Sequence, residues 1–151
     1  MAKAVISQKQ TEKDPTIFWN AFIDVVGGGE DPTRTPIQKH CHLCFRYYSE
    51  VMNGGHYQFF ENNGIDYARD VLTSFHGLGL VPVAAILEEA LKIAATRQWQ
   101  VIASVEEFVE GALDEPFKFQ DDAFYSVSPD LFEQTLEVAM RQKDEFFTIV
   151  P

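Results

Sequence analysis

The chain has 151 residues, of which 46% are hydrophobic and 23% are charged, so it is long enough to bury a core without disulfides and too apolar for a disordered chain. The formal net charge is −11, and residues 76–151 hold 14 Asp+Glu against 5 Lys+Arg. A chain this acidic disfavours direct DNA or RNA binding, which depends on neutralising phosphates, and favours a basic protein partner.

The first predicted helix begins close to Asp14 and Pro15. We expect residues 1–13, which are mostly polar, to be a flexible segment, and residues 14–151 to form a single helical domain. Aspartate is a good N-cap and proline is tolerated at the first helical position, and the apolar residues that follow recur at helical spacing. The glycines at 27–29 end this helix.

A second cap-and-proline pair, Thr35-Pro36, predicts the next helix. Its apolar positions form one helical stripe: Ile37, Cys41, Cys44, Phe45, Tyr48, Val51 and Met52. Asn53-Gly54-Gly55 ends it, because glycine tolerates the left-handed conformation of a helix C-terminus. After Gly64 a further helix is expected, with Tyr67, Ala68, Val71, Leu72 and Phe75 facing inward.

Three more helices are predicted in the second half of the chain. One starts at Val81-Pro82. The next starts at Ser104, where Glu107 completes a capping box and Phe108, Ala112 and Leu113 would be the buried side. The last starts at Ser128-Pro129. No segment shows the apolar alternation of a strand, so the predicted fold is all-α, a compact bundle of about six helices.

The stretch from Glu50 to Asn62, EVMNGGHYQFFEN, resembles the Asn-Gly-Gly-aromatic…Gln-aromatic-Phe…Asn signature of the bacterial DNA-mimic protein family. The similarity extends over roughly residues 15–147. The characterised member of that family is an acidic helical dimer that binds a transcription factor, so the resemblance implies a homodimer with a DNA-binding protein as partner. The signature positions are Asn53, Gly54, Gly55, Gln58, Phe60 and Asn62.

Each signature residue also has a structural interpretation. Gly54 and Gly55 allow a tight turn between helices, the aromatic residues would anchor that turn in the core, and Asn53 and Asn62 could cap backbone groups. His56 departs from the family pattern, because an aromatic residue usually follows the two glycines.

The segment HCHLC at 40–44 is the alternative candidate for chemistry. Cys41 and Cys44, with His40 and either His56 or His76, would be a metal or redox site, which makes an enzyme the second hypothesis. Structural zinc normally takes four Cys or His ligands, and the second pair is missing. A reactive Cys-x-x-Cys pair lies at a helix N-terminus, whereas this one lies inside a helix. The two cysteines are therefore interpreted as reduced core residues, and no metal, cofactor or enzymatic activity is predicted.

The acidic residues between 106 and 133 are the predicted partner-binding surface. Nine acids stand against Lys118 alone, and the candidate site consists of Glu106, Glu107, Glu110, Asp114, Glu115, Asp121 and Asp122, with Asp130 and Glu133 further along the chain. Such a field would attract a basic or DNA-binding protein, although an ordinary solvated face carries the same residues. No segment has the roughly 20 apolar residues of a membrane span or a signal peptide's apolar centre, so a cytoplasmic protein is expected.

Overall fold

Most of the chain is helix. The computed structural model describes residues 3–151, and its elements in chain order are β1 (Ala4–Ser7), α1 (Gln8–Lys13), α2 (Thr16–Val26), α3 (Pro36–Leu78), α4 (Val81–Thr96), α5 (Val105–Leu113), α6 (Lys118–Arg141), α7 (Lys143–Phe146) and β2 (Phe147–Val150). The predicted all-α class is confirmed, and no helix among the described residues is long and apolar enough to cross a membrane.

The starts of α2 and α3 follow the signals in the sequence. The Asp14 carboxylate accepts from the backbone N–H of Thr16 at 2.9 Å. Thr35 accepts from the N–H of Gln38, whose side chain accepts in return from the N–H of Thr35, which makes a complete capping box. Gln38 is fully buried and also donates to the carbonyl of Glu145 at 2.5 Å. The cap therefore also joins the start of α3 to α7.

Three glycines interrupt α3. Gly54, Gly55 and Gly64 have non-helical backbone angles, and the φ values of Gly55 and Gly64 are +69° and +78°. An L side chain rarely adopts a positive φ, so these two positions favour glycine. The predicted end of the helix at Gly54-Gly55 is thus confirmed as a break, after which the chain resumes helix.

The ends of α5 and α6 differ from expectation. The prediction that Leu113 is buried is wrong, since 74% of it is exposed, and α5 has no buried residue at all. The predicted start at Ser128 is also wrong: α6 begins at Lys118, and Pro129 lies inside it. Proline lacks the N–H that would bond to the carbonyl of Tyr125, and the hydroxyl of Ser128 donates to that carbonyl instead, at 3.3 Å.

The two chain ends meet in a short parallel sheet. Ala4 pairs with Phe147 and Ser7 with Val150. We expected a flexible segment at 1–13; residues 1 and 2 lie outside the described part, while residues 4–13 form β1 and α1. Neither strand was predicted, because each has four residues and its partner lies at the other end of the chain.

The core is dominated by aromatic rings. Tyr47 is fully buried, and its ring lies edge-on to those of Phe59, Phe75 and Phe124 at 5.0 to 5.5 Å. A second apolar cluster joins α2 to the end of α6 and to α7 through Phe22, Phe132 and Phe146. The first cluster fixes the Gly54-Gly55 turn of α3 against α6, and this turn supports the candidate site.

Candidate protein-interaction site

A cleft of about 370 Å³ lies between α5 and the segment that joins α4 to α5. Four acids line it, Glu61, Glu107, Glu110 and Asp114, against the single base Arg97. Counting these side chains as ionised gives four negative charges against one positive charge, a net of −3. Two aromatic side chains, Tyr57 and Trp99, belong to the same wall. The cleft is therefore suited to cationic side chains.

Arg97 shows how this wall holds a cation. Its guanidinium lies 5.5 Å from the ring centre of Tyr57 and 5.4 Å from that of Trp99, within the range of a cation–π interaction. The Trp99 indole N–H donates to the carbonyl of Ala94 at 2.9 Å, which fixes the ring. Burial raises the pKa of the Glu61 carboxyl, while the nearby Arg97 lowers it. This part of the cleft is thus preorganised around a positive charge.

A second cleft, of about 220 Å³, adjoins the first at Tyr57, which lines both. Its acids are Glu115, Asp121 and Asp122, and its base is Lys118, whose Nζ lies 3.7 Å from an Asp122 oxygen. Gly54 of the signature lies in the wall of this cleft. The family signature and the acidic segment therefore share one surface.

Six of the seven predicted site acids lie in these two clefts. The first contains Glu107, Glu110 and Asp114, and the second contains Glu115, Asp121 and Asp122. The seventh, Glu106, lies on α5 but lines neither cleft, and Asp130 and Glu133 lie further along α6. The sequence does not predict that the site also contains Glu61, Tyr57, Arg97 and Trp99, because distant parts of the chain supply them.

Asp121 has a structural role that its neighbours lack. One of its oxygens accepts from the backbone N–H of His56 at 2.9 Å and lies 2.6 Å from Nδ1 of that ring. Nε2 of His56 lies 2.7 Å from the hydroxyl of Tyr47, and both side chains are fully buried. An ionised carboxylate only accepts hydrogen bonds, so Nδ1–H donates to it, and in the neutral ring Nε2 accepts from Tyr47.

The network of Tyr47, His56 and Asp121 explains the departure at His56. The imidazole joins the core of α3 to the first turn of α6, which an aromatic hydrocarbon ring cannot do. Gly55 belongs to the same contact, because a Cβ on it would lie 2.7 Å from an Asp121 oxygen. In the sequence, the only sign of this network was a histidine, and not an aromatic hydrocarbon residue, after the two glycines.

The polar signature residues form hydrogen bonds with Glu50 and with each other. Gln58 and Asn62 each donate to Oε2 of Glu50 at 2.9 Å, and Asn53 donates to the amide oxygen of Gln58 at 3.2 Å. The prediction that Asn53 and Asn62 cap backbone groups is not what these contacts show, while Phe60 is buried as expected. A Cβ on Gly54 would overlap the Gln58 side chain. The signature residues therefore have a structural role in forming the Gly54-Gly55 turn.

The alternative site at Cys41 and Cys44 is not favoured. Both thiols are buried, and burial raises the pKa of Cys41 to about 12 and that of Cys44 well above its ordinary value, which disfavours the thiolate that binds metals or reacts. His40 Nδ1 contacts the Ser74 hydroxyl at 2.9 Å. Within residues 3–151 no three His, Cys, Asp or Glu side chains are placed to hold a metal ion.

Residues 33–143, more than half of the chain, match the family described as DMP19-like protein. No curated protein and no solved structure matches the chain. The matched range contains the Gly54-Gly55 turn, both clefts and the network of Tyr47, His56 and Asp121, and the chain accordingly belongs to the DMP19-like protein family.

Proposed function

We propose that the protein is a non-enzymatic DNA mimic that occupies the nucleic-acid-binding face of a basic protein, such as a transcription regulator. Membership in the DMP19-like family supports a DNA mimic in general terms. The observation that carries the proposal for this chain is the concentration of acids from α5 and the start of α6 in two adjoining clefts. The homodimer that the family resemblance implies belongs to the same proposal, and so does the cytoplasmic location expected from the sequence.

The geometry of α5 supports a patterned negative surface. Glu107, Glu110 and Asp114 are three and four residues apart, and side chains at this spacing are about 5–6 Å apart on one helical face. Such a row offers charges at short, regular intervals to the Lys and Arg side chains that normally contact phosphates. Long-range attraction between opposite net charges would also raise the association rate.

The experiment is a capture of binding proteins from a bacterial lysate at low salt, followed by competition with duplex DNA. We expect a basic partner that added DNA displaces and whose affinity falls steeply as salt rises. The proposal fails if no basic protein is captured, or if duplex DNA does not displace the captured one.

A pair of variants assigns the binding to the clefts. E107Q/E110Q/D114N removes three charges from the first cleft, while E12Q/D24N/D144N removes three exposed charges elsewhere. We expect the first variant to lose at least roughly tenfold in affinity at low salt relative to the second. Equal losses would mean that only the net charge matters and would remove the clefts from the proposal.

A further inference from the structure

Helix α5 presents two parallel rows of side chains to solvent. An apolar row is formed by three residues spaced four apart, Val105, Val109 and Leu113. Their exposed fractions are 75%, 46% and 74%. The row of Glu106, Glu110 and Asp114 is displaced from it by one residue, or about 100° around the helix axis. An apolar stripe thus runs beside an acidic one.

The inner side of α5 is fixed at one point. The ring of Phe108 lies 5.3 Å from that of Tyr57, and a Cβ on Gly111 would overlap the Tyr57 hydroxyl. Tyr57 is itself buried, so it is a firm support. Because Phe108 and Gly111 face Tyr57, the apolar row of α5 faces outward.

The apolar row has the character of a surface that another protein covers. A nine-residue helix is marginally stable by itself, and two valines in it lower its propensity further. Val101, in the segment that precedes α5, is also exposed, at 94%. Apolar residues grouped in this way, with a polar edge, are typical of protein interfaces.

The charge beside the row identifies the kind of partner. If α5 of a second copy packed antiparallel against it across a two-fold axis, the two acidic rows would lie on the same side of the contact, and like charges opposed at an interface are costly. A helix with an apolar stripe and lysines or arginines at its edge meets both rows favourably.

We infer that α5 docks a basic amphipathic helix of a protein partner through Val105, Val109 and Leu113, with the adjacent acids pairing with the basic edge of that helix. The inference rests on the proposed function for the existence of a basic partner. It adds an apolar contact that the phosphate backbone of DNA cannot make, so a part of the affinity survives screening by salt.

The test uses two synthetic peptides of about 18 residues with the same composition of leucine, lysine and alanine, long enough to form a helix. In one peptide the leucines form a single helical stripe with lysines beside it; in the other the order is scrambled. Binding of each to the full chain is measured by fluorescence anisotropy. We expect the amphipathic peptide to bind at least tenfold more tightly than the scrambled one.

Matched variants locate the contact. V105A/L113A trims two side chains that are 75% and 74% exposed, and V5A/V81A trims two that are 70% and 69% exposed elsewhere. We expect V105A/L113A to lose the preference for the amphipathic peptide and V5A/V81A to keep it. Circular dichroism of both variants confirms that the fold is retained.

Three outcomes would overturn the inference. They are equal binding of the two peptides, equal effects of the two variants, and a dimer of the free protein that V105A/L113A abolishes, which would assign the row to a second copy. None of these alters the competition between the captured partner and duplex DNA. Failure of that competition removes the proposed function instead, so the two failures are distinguishable.

Discussion

The hydroxyl of Tyr47 helps to attach the Gly54-Gly55 turn to α6, through His56 and Asp121. In Tyr47→Phe the ring packing remains, but the buried Nε2 of His56 loses its donor at 2.7 Å. A buried polar atom without a partner costs about 1–3 kcal/mol, and we expect the free energy of unfolding to fall by that amount. Urea unfolding followed by circular dichroism measures it.

Tyr48 provides the control for this prediction. It is the next residue along α3, it packs against Phe124 and Phe132, and within residues 3–151 its hydroxyl has no hydrogen bond. Tyr48→Phe should change the free energy of unfolding by about 0.5 kcal/mol or less. If the two variants lose the same stability, the network of Tyr47, His56 and Asp121 does not have the role described.

His42 makes the stability of the protein depend on pH. Its side chain is buried, and its Nδ1 lies 2.6 Å from the carbonyl of Val26. Burial lowers its pKa in the folded state from the ordinary 6.5, although the hydrogen bond to Val26 acts in the opposite direction. Below pH 6.5 His42 is therefore protonated more readily in the unfolded chain than in the folded protein. Stability must then fall as pH falls below 6.5, until the folded-state pKa is reached.

The variant H42N isolates this contribution. An asparagine amide can still donate to the Val26 carbonyl, but it does not titrate. Urea unfolding at about pH 7 and about pH 5 gives the loss of stability for each protein, and we expect a smaller loss in H42N than in the wild type. An identical loss in both would mean that other groups carry the pH dependence.

Pro129 was predicted to mark the start of a helix, but it lies inside α6. It lies on the exposed side in the interior of α6, where proline removes a helical hydrogen bond. Pro129→Ala restores the N–H for the Tyr125 carbonyl, and we expect it to raise the free energy of unfolding by about 1–3 kcal/mol. Pro82→Ala is the control, since Pro82 lies in the first turn of α4, where proline is tolerated. A loss of stability in Pro129→Ala would show that α6 needs the proline for its packing.

The elements that local signals define were predictable, and the others were not. Thr35-Pro36 and Val81-Pro82 mark helix starts because proline fits the first turn. The same rule at Ser128-Pro129 gave a false start, because the hydroxyl of Ser128 supplies the missing hydrogen bond. The candidate acids could be predicted because acidic residues are concentrated between residues 106 and 133 of the sequence. Tyr57 and Arg97 could not be assigned to the same site, since only the folded chain brings them together.

The net charge of the protein affects its stability. A net charge of −11 makes the folded chain repel itself, and salt screens that repulsion. We expect the free energy of unfolding to rise between about 20 mM and about 300 mM sodium chloride, because the Debye length falls well below the size of the protein over this range. Urea titrations at each salt concentration measure this rise.

The same titrations on the two charge variants decide whether the field is concentrated in the clefts. Close charges repel more strongly than distant ones, so neutralising Glu107, Glu110 and Asp114 should reduce the salt dependence more than neutralising Glu12, Asp24 and Asp144 does. Both variants have the same net charge, and any difference must come from where the charges lie. Equal salt dependence would mean that the acids around α5 repel one another no more strongly than acids elsewhere do. The concentrated negative surface on which a DNA mimic depends would then be absent.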